Sequence, residues 1–211
     1  MVLSLELFAA AWLNPLLSGW AAMASVPPAR ETSSDEEDTV CMARLAAGET
    51  HALQPIFDRW KLPLLTYFYR ALGSHADAED LVLQTFARVH RAADRYRPEA
   101  RFTTWLFAIA RRELLHELRR QRRKPVEPVP PEDLDLSLVS GQTADPQRVR
   151  EAEEHLLSAL QRLPERERSA LLLASSGDHS HADLATTLGV SPGNLSVILH
   201  RAREKLRVLL S

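Results

Sequence analysis

One cysteine, Cys41, stands in the whole chain. That excludes an internal disulfide and a zinc site built on cysteines, and it suits a reducing cytoplasm. Glycine is scarce, with seven residues in 211, and no glycine-rich loop is present to cradle a phosphate. Aromatic residues make up only 6%, and few segments alternate polar and apolar residues with period two, which argues against a sheet. The net charge is −2, so a bulk excess of cations cannot be the argument for any nucleic-acid partner. A clean membrane-spanning run is also missing. The stretch Leu3 to Ala24 is apolar, but Glu6 and Pro15 lie within it and Asn14 and Gly19 interrupt it. No cation precedes it as a secretory signal would require, although Ala22-Met23-Ala24 resembles a cleavage site. Translation from Met23 is the simpler expectation.

What the chain does have is helix-forming residues: Leu, Ala, Arg and Glu dominate, and 45% of residues are hydrophobic, enough for real cores. The expected fold is all-α, with two small helical domains joined by a proline-rich linker and a helix-turn-helix at the C-terminus. Residues 1–40 read as a disordered or mis-started tail, since 25–40 are rich in Pro, Ser and acid. Residues 41–124 form the first helical block. Residues 125–147, with Pro125, Pro128, Pro130 and Pro131, read as a linker, and 148–211 as the second block.

Charge is very unevenly placed. Acids crowd Glu31, Asp35, Glu36, Glu37 and Asp38, whereas Arg111, Arg112, Arg119, Arg120, Arg122, Arg123 and Lys124 crowd the end of the first block. There Phe102, Trp105, Leu106 and Ile109 share one helix face, and Arg112, Arg119 and Arg123 share another. Upstream, Arg95, Tyr96, Arg97 and Arg101 mix cations with an aromatic ring, a combination suited to unpaired bases. Ser74 ahead of Asp77 reads as a helix cap, and Pro164 suits the first turn of another helix.

The C-terminal signal is the strongest. Ser180 and Asp183 form a capping-box pair, Gly189 supplies a turn, and Ser191 with Pro192 starts a second helix. That helix has an inner face of Leu195, Leu199, Ala202, Leu206 and Leu209 and an outer face of Gly193, Asn194, Val197, His200 and Arg201. In a helix-turn-helix this outer face meets base edges. Asn194 suits adenine and Val197 a thymine methyl, while Arg201, Arg203 and Lys205 suit phosphates.

Together the two blocks resemble the extracytoplasmic-function (ECF) sigma factors. Asp77-Ala78-Glu79-Asp80-Leu81-Val82 with Thr85-Phe86 is similar to the family's polymerase-clamp helix. Arg101-Phe102-Thr103-Thr104-Trp105-Leu106 with Ile109-Ala110-Arg111 is similar to its minus-10 helix. Leu160 to Leu163 with Pro164-Glu165, then Leu188-Gly189-Val190-Ser191 and Leu199-His200-Arg201-Ala202-Arg203, are similar to its second domain. Gly193 to Ile198 departs from the common pattern by lacking two cations, at Ser196 and Ile198, which implies an altered specificity.

The resemblance implies polymerase contacts from Asp80, Leu81, Gln84, Thr85 and Phe86. It implies minus-10 contacts from Arg95, Tyr96, Arg97, Arg101, Thr104, Trp105, Arg111, Arg112 and Arg119. Minus-35 contacts would come from Ser191, Gly193, Asn194, Ser196, Val197, His200, Arg201 and Arg203. Implied partners are core RNA polymerase through its clamp and flap, promoter DNA, and an anti-sigma factor, with no small-molecule substrate, cofactor or metal. An enzyme is not expected. His116-Glu117 lacks the second histidine of a metalloprotease, since Arg120 stands there, and His179 with His181 are too few for a metal. The competing readings are a helix-turn-helix regulator that works without polymerase and a degenerate sigma that sequesters a partner.

Overall fold

The computed structural model describes residues 31–123, 146–176 and 179–210, apart from the side chains of 31–33, 146, 148 and 149. All regular structure among them is helical. The first unit comprises α1 (Glu31–Ala46), α2 (Leu53–Leu72), α3 (His75–Ala92) and α4 (Phe102–Arg123). The second comprises α5 (Pro146–Gln161), α6 (Glu165–Ser175), α7 (His181–Leu188) and α8 (Pro192–Leu210). The expected linker up to residue 145 and the expected tail up to residue 30 lie outside the described residues.

Residues 31–40, read as disordered, are the first turns of α1. Asp38 is fully buried and accepts from Arg59 Nη1 at 2.6 Å and Trp60 Nε1 at 2.8 Å. Arg59 also donates to the Ser34 carbonyl at 3.1 Å and pairs with Glu37. The acidic run is thus clamped onto α2.

Ser74 caps α3, its hydroxyl accepting from Asp77 N at 3.3 Å. Along α3, Ala78, Leu81, Val82, Thr85, Phe86 and Val89 are buried, the three-and-four spacing of a core face. Along α4, Phe102, Leu106, Phe107, Ala110 and Leu114 are buried. Two carboxylates are buried beside them: Glu113 pairs with Arg88 of α3, and Glu117 takes two bonds of 2.7 Å from Arg120. In the second unit Leu156, Leu160 and Leu163 meet Leu171, Leu195, Leu199 and Leu206. Pro164 stands one position earlier than expected, as the N-cap of α6.

The two units share one apolar cluster. Helix α2 packs on α5 and α6, and α4 packs on α7. Phe107 of α4 meets the buried His179 edge-to-face at 4.9 Å. Gln161 Nε2 donates to the Leu72 carbonyl at 3.2 Å, and Arg122 faces Glu165 at 3.4 Å. Tyr67 is buried near Arg111 from its own unit and Arg168 from the other. Burial pushes the Tyr67 phenol well above its usual range, and burial lowers Arg168. The Tyr67 hydroxyl and Arg111 Nε have no hydrogen-bond partner among the described residues. Each such group costs about 1–3 kcal/mol when buried.

Candidate nucleic-acid and polymerase interface

The helix-turn-helix is built as its sequence dictates. Ser180 Oγ accepts from Asp183 N at 3.1 Å, and Asp183 Oδ2 accepts from Ser180 N at 3.2 Å, completing the capping box. Gly189 takes φ 65°, the left-handed turn that ends α7. Ser191 Oγ then accepts from Asn194 N at 3.3 Å and starts α8. Leu195, Leu199, Ala202 and Leu206 are buried and Leu209 is half-buried.

The outer stripe of α8 is open. Gly193, Asn194, Val197, His200 and Arg201 are exposed. Ser191 is exposed too, but its hydroxyl is engaged as a cap. Ser196 is half-buried, with its hydroxyl 3.2 Å from His181 Nε2 across the turn. Two positions differ from expectation. Arg203 is half-buried, and burial lowers its pKa, so it lies at the edge of the stripe. Ile198 is buried, so its apolar side chain serves the core of the second unit and leaves no gap in the exposed stripe.

The first unit presents a second basic surface. Arg95, Arg97, Arg112 and Arg119 are exposed, and Arg101 and Trp105 are half-exposed. Among the described residues Arg112, Arg119 and Arg123 carry no ion pair, whereas neighbouring Arg120 and Arg122 are engaged with Glu117 and Glu165. His116, Arg119, Arg120 and Arg123 line a shallow recess of about 400 Å³. Arg101 lies 3.9 Å from Asp35 of α1.

Three residues expected here sit differently. Tyr96 is buried, with its ring 4.9 Å from Trp105 and 6.0 Å from Phe102 and its hydroxyl 3.4 Å from Thr39 Oγ1. It props Trp105 and offers no open stacking face of its own. Thr104 is buried, and Arg111 is half-buried toward the second unit.

The positions on α3 expected to meet polymerase divide in the same way. Asp80 and Gln84 are exposed. Leu81, Thr85 and Phe86 are corrected to core residues: Thr85 bonds the Leu81 carbonyl at 2.7 Å, and Phe86 lies 4.8 Å from Phe57. An exposed apolar residue outside that expectation is Leu83, 60% exposed beside Asp80 and Gln84. Its signal was an apolar side chain on the polar face of α3.

A capped helix-turn-helix joined to a helical unit with its own basic surface defines a two-domain, DNA-binding transcription protein. The comparisons name the family. Residues 56–124 match the Sigma-70 region 2 model and residues 153–206 match Sigma-70, region 4. The chain is 32% identical over 169 residues to RNA polymerase sigma factor CarQ of Myxococcus xanthus, covering 80% of this chain and 95% of that protein. It is 32% identical over 151 residues to the ECF RNA polymerase sigma factor EcfG of Rhodopseudomonas palustris, covering 71% and 80%. Among solved structures it superposes on CnrH, determined in complex with the cytosolic domain of CnrY, with a TM-score of 0.61 and 24% identity, covering 82% of this chain and 97% of that one. It also superposes on the sigma factor RpoE of Bartonella quintana, determined in complex with the anti-sigma factor NepR, at 0.58 and 24%, covering 74% and 97%. This chain belongs to the ECF sigma factors and is an alternative sigma factor, directing transcription initiation. No helix among the described residues is long and apolar enough to cross a membrane.

Proposed function

We propose that the two open basic surfaces divide promoter recognition between them. Helix α8 enters the minus-35 major groove with Gly193, Asn194, Ser196, Val197, His200 and Arg201 toward the DNA. Arg95, Arg97, Arg101, Trp105, Arg112 and Arg119 hold the minus-10 strand, the cations on phosphates and Trp105 beside an unpaired base. Asp80, Leu83 and Gln84 face the polymerase clamp, and the second unit meets the flap. The bond-forming chemistry belongs to the polymerase. The protein works in the cytoplasm and is held in check by an anti-sigma factor.

The observation that carries this reading is the outer stripe of α8, exposed along its length while the opposite stripe is buried. The test mixes the purified chain with core RNA polymerase and sequences the transcripts made from fragmented genomic DNA. Discrete start sites sharing two spaced upstream elements are expected. Polymerase binding without initiation would instead identify a sequestering protein. DNA binding without polymerase binding would identify a free-standing regulator.

A further inference from the structure

Side chains from the two helices of the helix-turn-helix meet at the edge of the open stripe of α8. His181 is the first residue of α7, and its Nε2 lies 3.2 Å from the Ser196 hydroxyl on α8. Local chemistry sets the ring there. The Ser180–Asp183 capping box fixes the start of α7, the left-handed turn at Gly189 folds the chain back, and α7 packs on α8. The Ser196 hydroxyl also donates to the Pro192 carbonyl at 3.3 Å, one turn back on its own helix. A carbonyl only accepts, and a serine hydroxyl holds a single hydrogen. That hydrogen goes to Pro192, so the His181 contact is made with Nε2–H as the donor. The two contacts together use the hydrogen and one of the two lone pairs of the hydroxyl. The second lone pair is left for a ligand. Ser196 is half-buried, and Gly193, three residues earlier on the same edge of α8, has no side chain to cover it.

We infer that His181 is a positioning residue for base recognition: it holds the Ser196 hydroxyl as an acceptor, so that position 196 selects a base carrying an amino group in the major groove. The inference rests on the proposed entry of α8 into that groove and deepens it. Adenine N6 and cytosine N4 are donors there, whereas guanine presents N7 and O6 and thymine O4, all acceptors. A serine whose hydroxyl turns freely satisfies either kind and discriminates little. With its hydrogen committed to Pro192 and His181 donating to it, Ser196 would meet guanine or thymine with no hydrogen between the two acceptors. A lysine or arginine at this position would have the opposite preference, since both side chains only donate. The two cations absent from α8 therefore differ in consequence. Ile198 is drawn into the core, while Ser196 reverses the hydrogen-bonding sense of its position. The donor that enforces this comes from outside α8, 15 residues earlier in the chain.

The test uses the full chain bound to core RNA polymerase and a random-sequence DNA duplex library, with the bound fraction sequenced. The wild type should enrich a motif in which one position is held to adenine or cytosine on one strand. Ser196→Ala should lose several-fold of the preference at that position and leave the others unchanged, the loss expected for one hydrogen bond. His181→Leu should relax the same position to admit guanine and thymine, because the hydroxyl is then free to turn. His181→Gln, whose amide offers N–H donors at a similar reach, should restore the choice. The double variant His181→Leu with Ser196→Ala should match Ser196→Ala at that position, since His181 acts through the hydroxyl. Guanine or thymine at the position that Ser196→Ala alters would overturn the inference. So would a His181→Leu protein as selective as wild type, or equal relaxation by Leu and Gln, which would mean that the ring only packs the turn. Should His181→Leu unfold the motif and flatten every position, the base lost in Ser196→Ala and the result for His181→Gln still decide. A wild type with no enriched motif would sink α8 as a groove helix and this inference with it. A motif that Ser196→Ala leaves intact would sink this inference alone.

Discussion

Asn194 projects an exposed amide from the first turn of α8, where a bidentate bond to adenine is geometrically natural. Asn194→Ala should lose about 1–3 kcal/mol of discrimination at one base pair, read from binding to a panel of single-base promoter variants. Equal discrimination would remove Asn194 as a reader. Arg201 lies on the same stripe but suits a phosphate. Arg201→Ala should weaken every sequence alike and lower the salt slope of binding by about one; an unchanged slope would exclude that contact. Asp38 gives a pH prediction of unusual sign. Burial raises its pKa above 3.8, outweighing the Trp60 bond and the nearby Arg59. The folded chain therefore holds the Asp38 proton more tightly than the unfolded chain does. The stabilisation is complete below the ordinary value and is lost as pH rises through the folded one. Wild type should accordingly gain stability relative to Asp38→Asn between pH 7 and pH 3 in urea titrations. A loss on acidification would show that the Arg59 pairing prevails.

At the scale of elements, helix α7 is only eight residues long and depends on its ends. Ser180→Ala removes the cap and should cost about 1 kcal/mol, measured by chemical unfolding. The turn and caps of this motif were legible because their chemistry is local: Ser180, Asp183, Gly189 and Ser191 each act within a few residues. The core face of α3 was equally present in the spacing of Ala78, Leu81, Val82, Thr85, Phe86 and Val89. Reading Leu81, Thr85 and Phe86 as contacts put the resemblance ahead of that period. Other features were not legible. Burial of Tyr96 depends on Trp105 and on Thr39 of α1, 57 residues away. The helicity of 31–40 depends on Arg59 and Trp60 of α2, which no local composition reports.

For the whole molecule, the continuous apolar cluster across both units implies shared cooperativity. Calorimetry should show one unfolding transition at neutral pH, and two resolved transitions would mean that the units melt independently. Docking was invisible to sequence reasoning because it joins Phe107 to His179 and Leu72 to Gln161, partners with no common pattern. Gly73 lies at that junction, with φ 75°, and a Cβ built there would fall 2.4 Å from Gln161 Nε2. Its backbone would accept Asn, which tolerates the left-handed region, but the added side chain would displace Gln161 from the Leu72 carbonyl. Positions 73 and 161 should therefore be inherited as a pair: lineages that abandon glycine at the first lose the selective reason to keep glutamine at the second.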